Sequence, residues 1–130
     1  MTQLLRPEGL VQSPAFTHVA VVPPGATTVY VGGQNAVDAE GGIIGGTDVA
    51  AQVERVMANL KTALAAGGAT IQDVVLLNVL LVEDVDINEA YPAAAAGLEG
   101  ATPPVVAQRV AGLGVPGALV EVSAIAAVVR

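Results

Sequence analysis

The stretch PPVVAQRV, residues 103–110, places a single arginine, Arg109, in an otherwise apolar run. A second run, GALVEVSAIAAV (117–128), carries a single carboxylate, Glu121. A guanidinium fork can hold a carboxylate through two parallel hydrogen bonds. A carboxylate in an apolar strand is costly unless it is bonded, and it can shuttle a proton or hold a water. His18 is the only imidazole. What is missing narrows the chemistry further. The chain has no cysteine, so disulfides, thiolate nucleophiles and Cys-ligated zinc are excluded. One histidine cannot make a paired-His metal site within one chain, and no metal is expected. GGIIGGT (41–47) precedes a helix but has no lysine after its glycines and no G-x-G-x-x-G spacing, so it reads as a turn. Glu83, Asp84, Asp86 and Glu89 lack the spacing of an EF-hand and read as a solvated turn leading into a helix.

Composition sets the frame for these groups. The 130 residues suit one domain, 1–130, and 53% of them are hydrophobic against 13% charged. So little charge on a small chain suggests that other subunits cover part of its apolar surface. The net charge is −7, and the five basic residues, Arg6, Arg55, Lys61, Arg109 and Arg130, are scattered along the chain. Nucleic-acid binding needs clustered cations that displace counterions from phosphates, so no nucleic-acid partner is expected. Anionic membranes are excluded on the same ground. The longest apolar run, VVLLNVLLV (74–82), is too short to cross a bilayer. The opening MTQLLRPEG has no apolar signal core, and a cytoplasmic protein is expected.

The elements that must position these residues follow from periodicity. HVAVVP (18–23) and TTVYVGG (27–33), joined by a PGA turn, read as a hairpin. A short strand is expected at 42–44. Residues 48–66 read as a helix, with Val49, Val53, Val56, Leu60 and Leu64 at helical spacing. Thr47 is its expected cap, Gly67 its stop, and Gln52, Glu54, Arg55 and Lys61 its outer side. Residues 73–82 form a strand that is apolar on both faces, with Val75, Leu77, Val79 and Leu81 on one and Val74, Leu76, Leu80 and Val82 on the other. An Ala-rich helix at 87–98 carries Pro92 early, and strands follow at 105–110 and 119–129. Two helices cover only one face of such a sheet. The central strand therefore implies that the other face is buried by further copies, as a homo-oligomer.

The motif VYVGGQ (29–34), then Asp38 and a GG pair, then DVAAQVERVMANLKTALAAGGATIQDVV (48–75) and the ending VAGLGVPGALVEVSAIAAV (110–128) resemble the RidA (YjgF) family of reactive-intermediate deaminases. The likeness runs from about residue 13 to 129. It implies a chorismate-mutase-like α+β fold, a mixed sheet covered on one face by two helices, and a homotrimer with small-molecule clefts between subunits. It also implies cofactor-free hydrolysis of imines and enamines, such as 2-aminoacrylate, to a 2-keto acid and ammonia.

The same resemblance assigns residues. The family's Pro-Ala-Arg-Ser/Thr pattern, whose arginine anchors the substrate carboxylate, falls on Pro103-Pro104-Val105-Val106, so Val105 stands where the arginine belongs. Arg109 lies four residues on, about 13 Å away at roughly 3.3 Å per residue. It either restores anion binding or, as we expect, pairs with an acidic group of another subunit. Phe16 replaces a tyrosine, Gly32 a serine and Tyr91 an asparagine, with Asn88 one turn earlier. Glu121 is retained and is the expected catalytic residue. His18, two residues after Phe16, aligns near the cleft, although a surface or core position is the expected reading of a lone histidine. Gln34 and Asn35 either line the cleft or stabilise the turn after Gly33. The expectation is a divergent member that binds or hydrolyses a small molecule lacking a free 2-imino-carboxylate. Its rivals are a conventional enamine/imine deaminase and a non-catalytic binding trimer.

Overall fold

A computed structural model describes residues 1–130. Along the chain come β1 (Gln3–Leu5), β2 (Val19–Val21), β3 (Thr27–Gln34), α1 (Val49–Ala66), β4 (Val74–Val82), α2 (Ile87–Leu98), β5 (Val105–Val110) and β6 (Val120–Val128), with a 3-10 turn at Ile71–Asp73 before β4. The main sheet has the order β3-β6-β4-β5. β4 and β5 run parallel, joined through α2, while β6 is antiparallel to both β3 and β4.

The helix α1 forms because Val53, Val56, Met57, Leu60 and Leu64 fall on one stripe that packs on β6 and β3. Burying each of these apolar side chains contributes about 1.5–3 kcal/mol. The cap is Asp48 rather than Thr47: its carboxylate accepts from the Ala51 N–H at 3.1 Å. Gly67 ends the helix as expected. Gln52 does not share the outer side with Glu54. It is 0% exposed, donating to the carbonyls of Gly46 (2.7 Å) and Gly117 (3.0 Å) and accepting from the Leu119 N–H (2.9 Å). Position 52 is three residues after the buried Val49, so helical spacing already placed it inward. The helix α2 starts at Asp86, whose carboxylate accepts from the Asn88 N–H. It packs along α1 rather than on the sheet. A Cβ at Gly97 would lie 2.7 Å from the Met57 Cβ, so this close helix contact requires glycine.

The expected hairpin between 18–23 and 27–33 does not form. β2 pairs instead with β1, and β3 pairs with β6. Pro23 and Pro24 have no N–H to give a ladder and turn the chain away, while the long β6 offers β3 a full-length partner. The strand expected at 42–44 reduces to one bridge between Val37 and Ile43. A register shift between Val74 and Leu76 sends Val74 into the core, against its expected place on the other face.

The two faces of the sheet therefore differ. Val120, Val122, Ala124 and Ala126 of β6, with Leu77 and Leu81 of β4, join the buried cluster under the helices. On the opposite face, Tyr30, Ile125 and Leu76 form one cross-strand row, Ser123, Asn78 and Val106 a second, and Glu121, Leu80 and Gln108 a third. No helix covers this face, and Tyr30 is 77% exposed on it. At one end the N-terminal residues Met1, Thr2 and Leu4 lie against Val75, Ala127 and Val129.

Candidate functional site

Because α2 leans on α1, an apolar space opens between α2 and the helix-facing side of β4 and β5. The cavity measures about 310 Å³. Leu77 and Val105 form part of its floor, Met57 its inner wall, and Phe16, Ile87 and Tyr91 its rim. No lining residue is charged, and only Tyr91 and Thr102 bring a polar side-chain atom.

Segment 13–18 closes one side of the opening. Thr17, nearly fully buried, donates its hydroxyl to the Thr102 carbonyl at 2.7 Å and bridges to Pro104 beside the start of β5. Arg6 fastens the same segment by donating Nε to the carbonyls of Ser13 and Phe16. These bonds hold Phe16 at the cavity. His18 stands edge-on to the Phe16 ring, 5.5 Å between centroids, with Nε2 2.7 Å from the Val11 carbonyl oxygen. It therefore supports the rim residue and does not itself line the cavity.

Phe16, Tyr91 and Val105 are thus brought together from three distant parts of the chain. The remaining expected residues go elsewhere. Val105 and Arg109 share a face, paired with Leu77 and Leu81. Arg109 does not line the cavity, and within its own chain it makes main-chain bonds. Its Nη1 donates to the carbonyls of Glu83 (3.1 Å) and Val85 (2.8 Å), clamping the loop before α2. Asn35 is buried and donates to the Val120 carbonyl, while its own carbonyl accepts from Asn59. Gln34 donates to the Gly32 carbonyl. Within the chain these two amides stabilise the end of β3.

Glu121 lies on the uncovered face, against β3 where the chain bulges between Val31 and Gln34. A Cβ at Gly33 would come within 2.7 Å of the Glu121 Cδ, so the carboxyl group rests directly over the Gly33 backbone. The carboxylate makes no hydrogen bond or ion pair within the chain; the one ion pair present joins Lys61 to Glu99 at 3.0 Å. Asn78, Ser123 and Gln108 share its face. Residue types gave no sign of Gly33's part. The signal lay in the alternation Val120-Glu121-Val122, which sets Glu121 opposite the buried valines. No group of acidic and histidine side chains is arranged to hold a metal.

A four-stranded mixed sheet with two helices on one face defines an α+β class of fold. The family described as endoribonuclease L-PSP matches residues 11–128. The chain belongs to this family, the RidA/YjgF/L-PSP proteins. A Yersinia pestis protein of the conserved Rid family, YyfB, described as of unknown function, is 34% identical, with 96% of this chain and 97% of that chain covered and a TM-score of 0.80. RidA from an Antarctic Psychrobacter is 31% identical, with 89% and 96% covered and a TM-score of 0.68. Among curated proteins no match is found.

Proposed function

We propose that the chain works as a homotrimer, each chain one RidA-type domain, with clefts for a small molecule between subunits. In this reading it is a divergent family member whose ligand lacks the 2-imino-carboxylate of the usual substrates. The observation that carries the proposal is the environment of Val105. It lies on the floor of a cavity with no charged lining, and Arg109, the nearest basic side chain along β5, is committed to two backbone carbonyls. A substrate carboxylate placed there would be desolvated without a partner. Glu121 is the polar working group of the cleft. Within one chain the sheet separates it from the cavity, so a complete cleft draws the two from adjacent subunits. The uncovered apolar face supports such an assembly. A cytoplasmic location goes with this reading; no helix is long and apolar enough to cross a membrane.

An RNA substrate, which the family's description suggests, is not favoured. The chain has five basic residues, of which Lys61 is paired with Glu99, against twelve acidic ones, which leaves no excess of cations to displace counterions on a chain of net charge −7.

The test is ammonia and keto-acid release from freshly generated 2-aminoacrylate, by the natural protein and by Val105→Arg. We expect a slow natural protein and a gain of about 10- to 100-fold in the variant, the worth of one charge-assisted carboxylate contact. Full activity in the natural protein would overturn the reading and return the chain to the conventional deaminases. Loss of all saturable small-molecule binding would leave a non-catalytic trimer.

A further inference from the structure

We infer that the cavity beneath α2 takes an uncharged, predominantly apolar molecule of about the size of a bicyclic aromatic ring. This rests on the reading of that cavity as the ligand cleft and names the ligand's chemistry. Three observations carry it. The first is charge: no lining residue of this chain bears one, so a carboxylate or an ammonium seated in the cavity is desolvated against apolar walls, and the only charge our reading adds is the adjacent subunit's carboxylate at the boundary. The second is size. An apolar cavity of roughly 150 Å³ accommodates benzene, and this one, at about 310 Å³, has room for a second ring or a short branch. It is too small for a helix or strand of a partner protein.

The third is the rim. Ile87 (46% exposed) and Tyr91 (53%) stand at the opening, and Val105 (36%) on the floor is open to it. Scattered exposed apolar residues are ordinary, but three that share one apolar cavity form a continuous surface for an apolar ligand. The Tyr91 and Thr102 hydroxyls are the only polar side-chain groups that this chain's cavity lining offers to orient it. They suit a single neutral donor or acceptor, such as a ring N–H, a hydroxyl or a carbonyl. Neither supplies the two-pronged donor that a carboxylate needs.

The probes are indole and indole-3-acetate, which share a ring system and differ by one acetate group. Calorimetric titration of the full-length protein, with chemical-shift mapping of the Met57 and Val105 methyls, reads both affinity and place. We expect indole to bind saturably and indole-3-acetate at least about tenfold more weakly. Val105→Arg should reverse that order. Ala94→Phe and Ala107→Leu, which fill the cavity from the helix and the sheet side, should each abolish indole binding, with folding checked by circular dichroism. Equal binding of the two probes, no binding of either, or retained binding in both folded cavity-filled variants would overturn the inference. The broader proposal fails separately, through a monomeric mass or through a Val105→Arg protein with no gain on 2-aminoacrylate.

Discussion

The two faces of the main sheet are built from the same strands and solve opposite problems. Under the helices, Val120, Val122, Ala124 and Ala126 are buried, and the most deeply buried polar group there, Gln52, has both ends of its amide bonded. On the other face the same strands carry Glu121, Ser123, Asn78 and Gln108 among exposed apolar groups, and Glu121 has no partner within the chain. A polar group sealed inside a chain is satisfied by that chain. One left unpartnered on an apolar sheet face is available to something else, and in our reading that is the adjacent subunit's cleft.

The sharpest way to break this contrast is a charge on the uncovered face. Val106 is exposed on the edge strand β5, in the row of Asn78 and Ser123. Val106→Asp should cost the isolated chain only about 0.5 kcal/mol. In an assembly that buries the face, the unpaired carboxylate is strongly unfavourable. Sedimentation should then find the natural protein at three times the 12.9 kDa chain mass and the variant at one. A natural protein that sediments as one chain would mean the face is simply solvated.

The covered face predicts a large loss of stability with no change of assembly. Gln52→Ala removes three hydrogen bonds and strands the Gly46 and Gly117 carbonyls and the Leu119 N–H. Leaving buried groups unpaired costs about 1–3 kcal/mol each when no water reaches them. Allowing for water entry beside the glycine-rich loop, denaturant titration should show a loss of about 2–4 kcal/mol. A loss under about 1 kcal/mol would mean that the loop closes without the amide.

Much of this contrast was legible in the residues. The stripe from Val49 to Leu64 gave α1, and the apolar runs gave β4, β5 and β6 nearly to their ends, because these elements answer to local periodicity. What periodicity could not supply was pairing. β1 has three residues and no pattern of its own, and without it β2 was matched to the wrong partner. The site divides in the same way. The resemblance pointed to Phe16, Tyr91 and Val105, and the fold brings them to one cavity. The bonds of Arg109 to main-chain carbonyls were not legible, because residue types do not reveal which carbonyls a guanidinium meets. Gln52 misled because it is polar, although its spacing from Val49 had already turned it inward.

The smallest expected effect on stability is the finest probe of the uncovered face. Gly33 has no positive φ, so alanine suits its backbone. The nearest atoms to the added Cβ belong to the Glu121 side chain, with Cδ at 2.7 Å, and the carboxylate can swing aside. Gly33→Ala should therefore change folding stability by about 0.5 kcal/mol or less. It should nonetheless displace the one carboxylate in our proposed cleft. In the Val105→Arg background, where turnover of 2-aminoacrylate is expected, Gly33→Ala should lower the rate in the same direction as Glu121→Gln, which should abolish it. The two substitutions share no chemistry; both act on where a carboxylate stands. If Gly33→Ala leaves the rate unchanged while Glu121→Gln removes it, the position of Glu121 is set by the neighbouring subunit rather than by the β3 bulge. If neither matters, the uncovered face plays no part in the chemistry, and the difference between the two faces is one of packing alone.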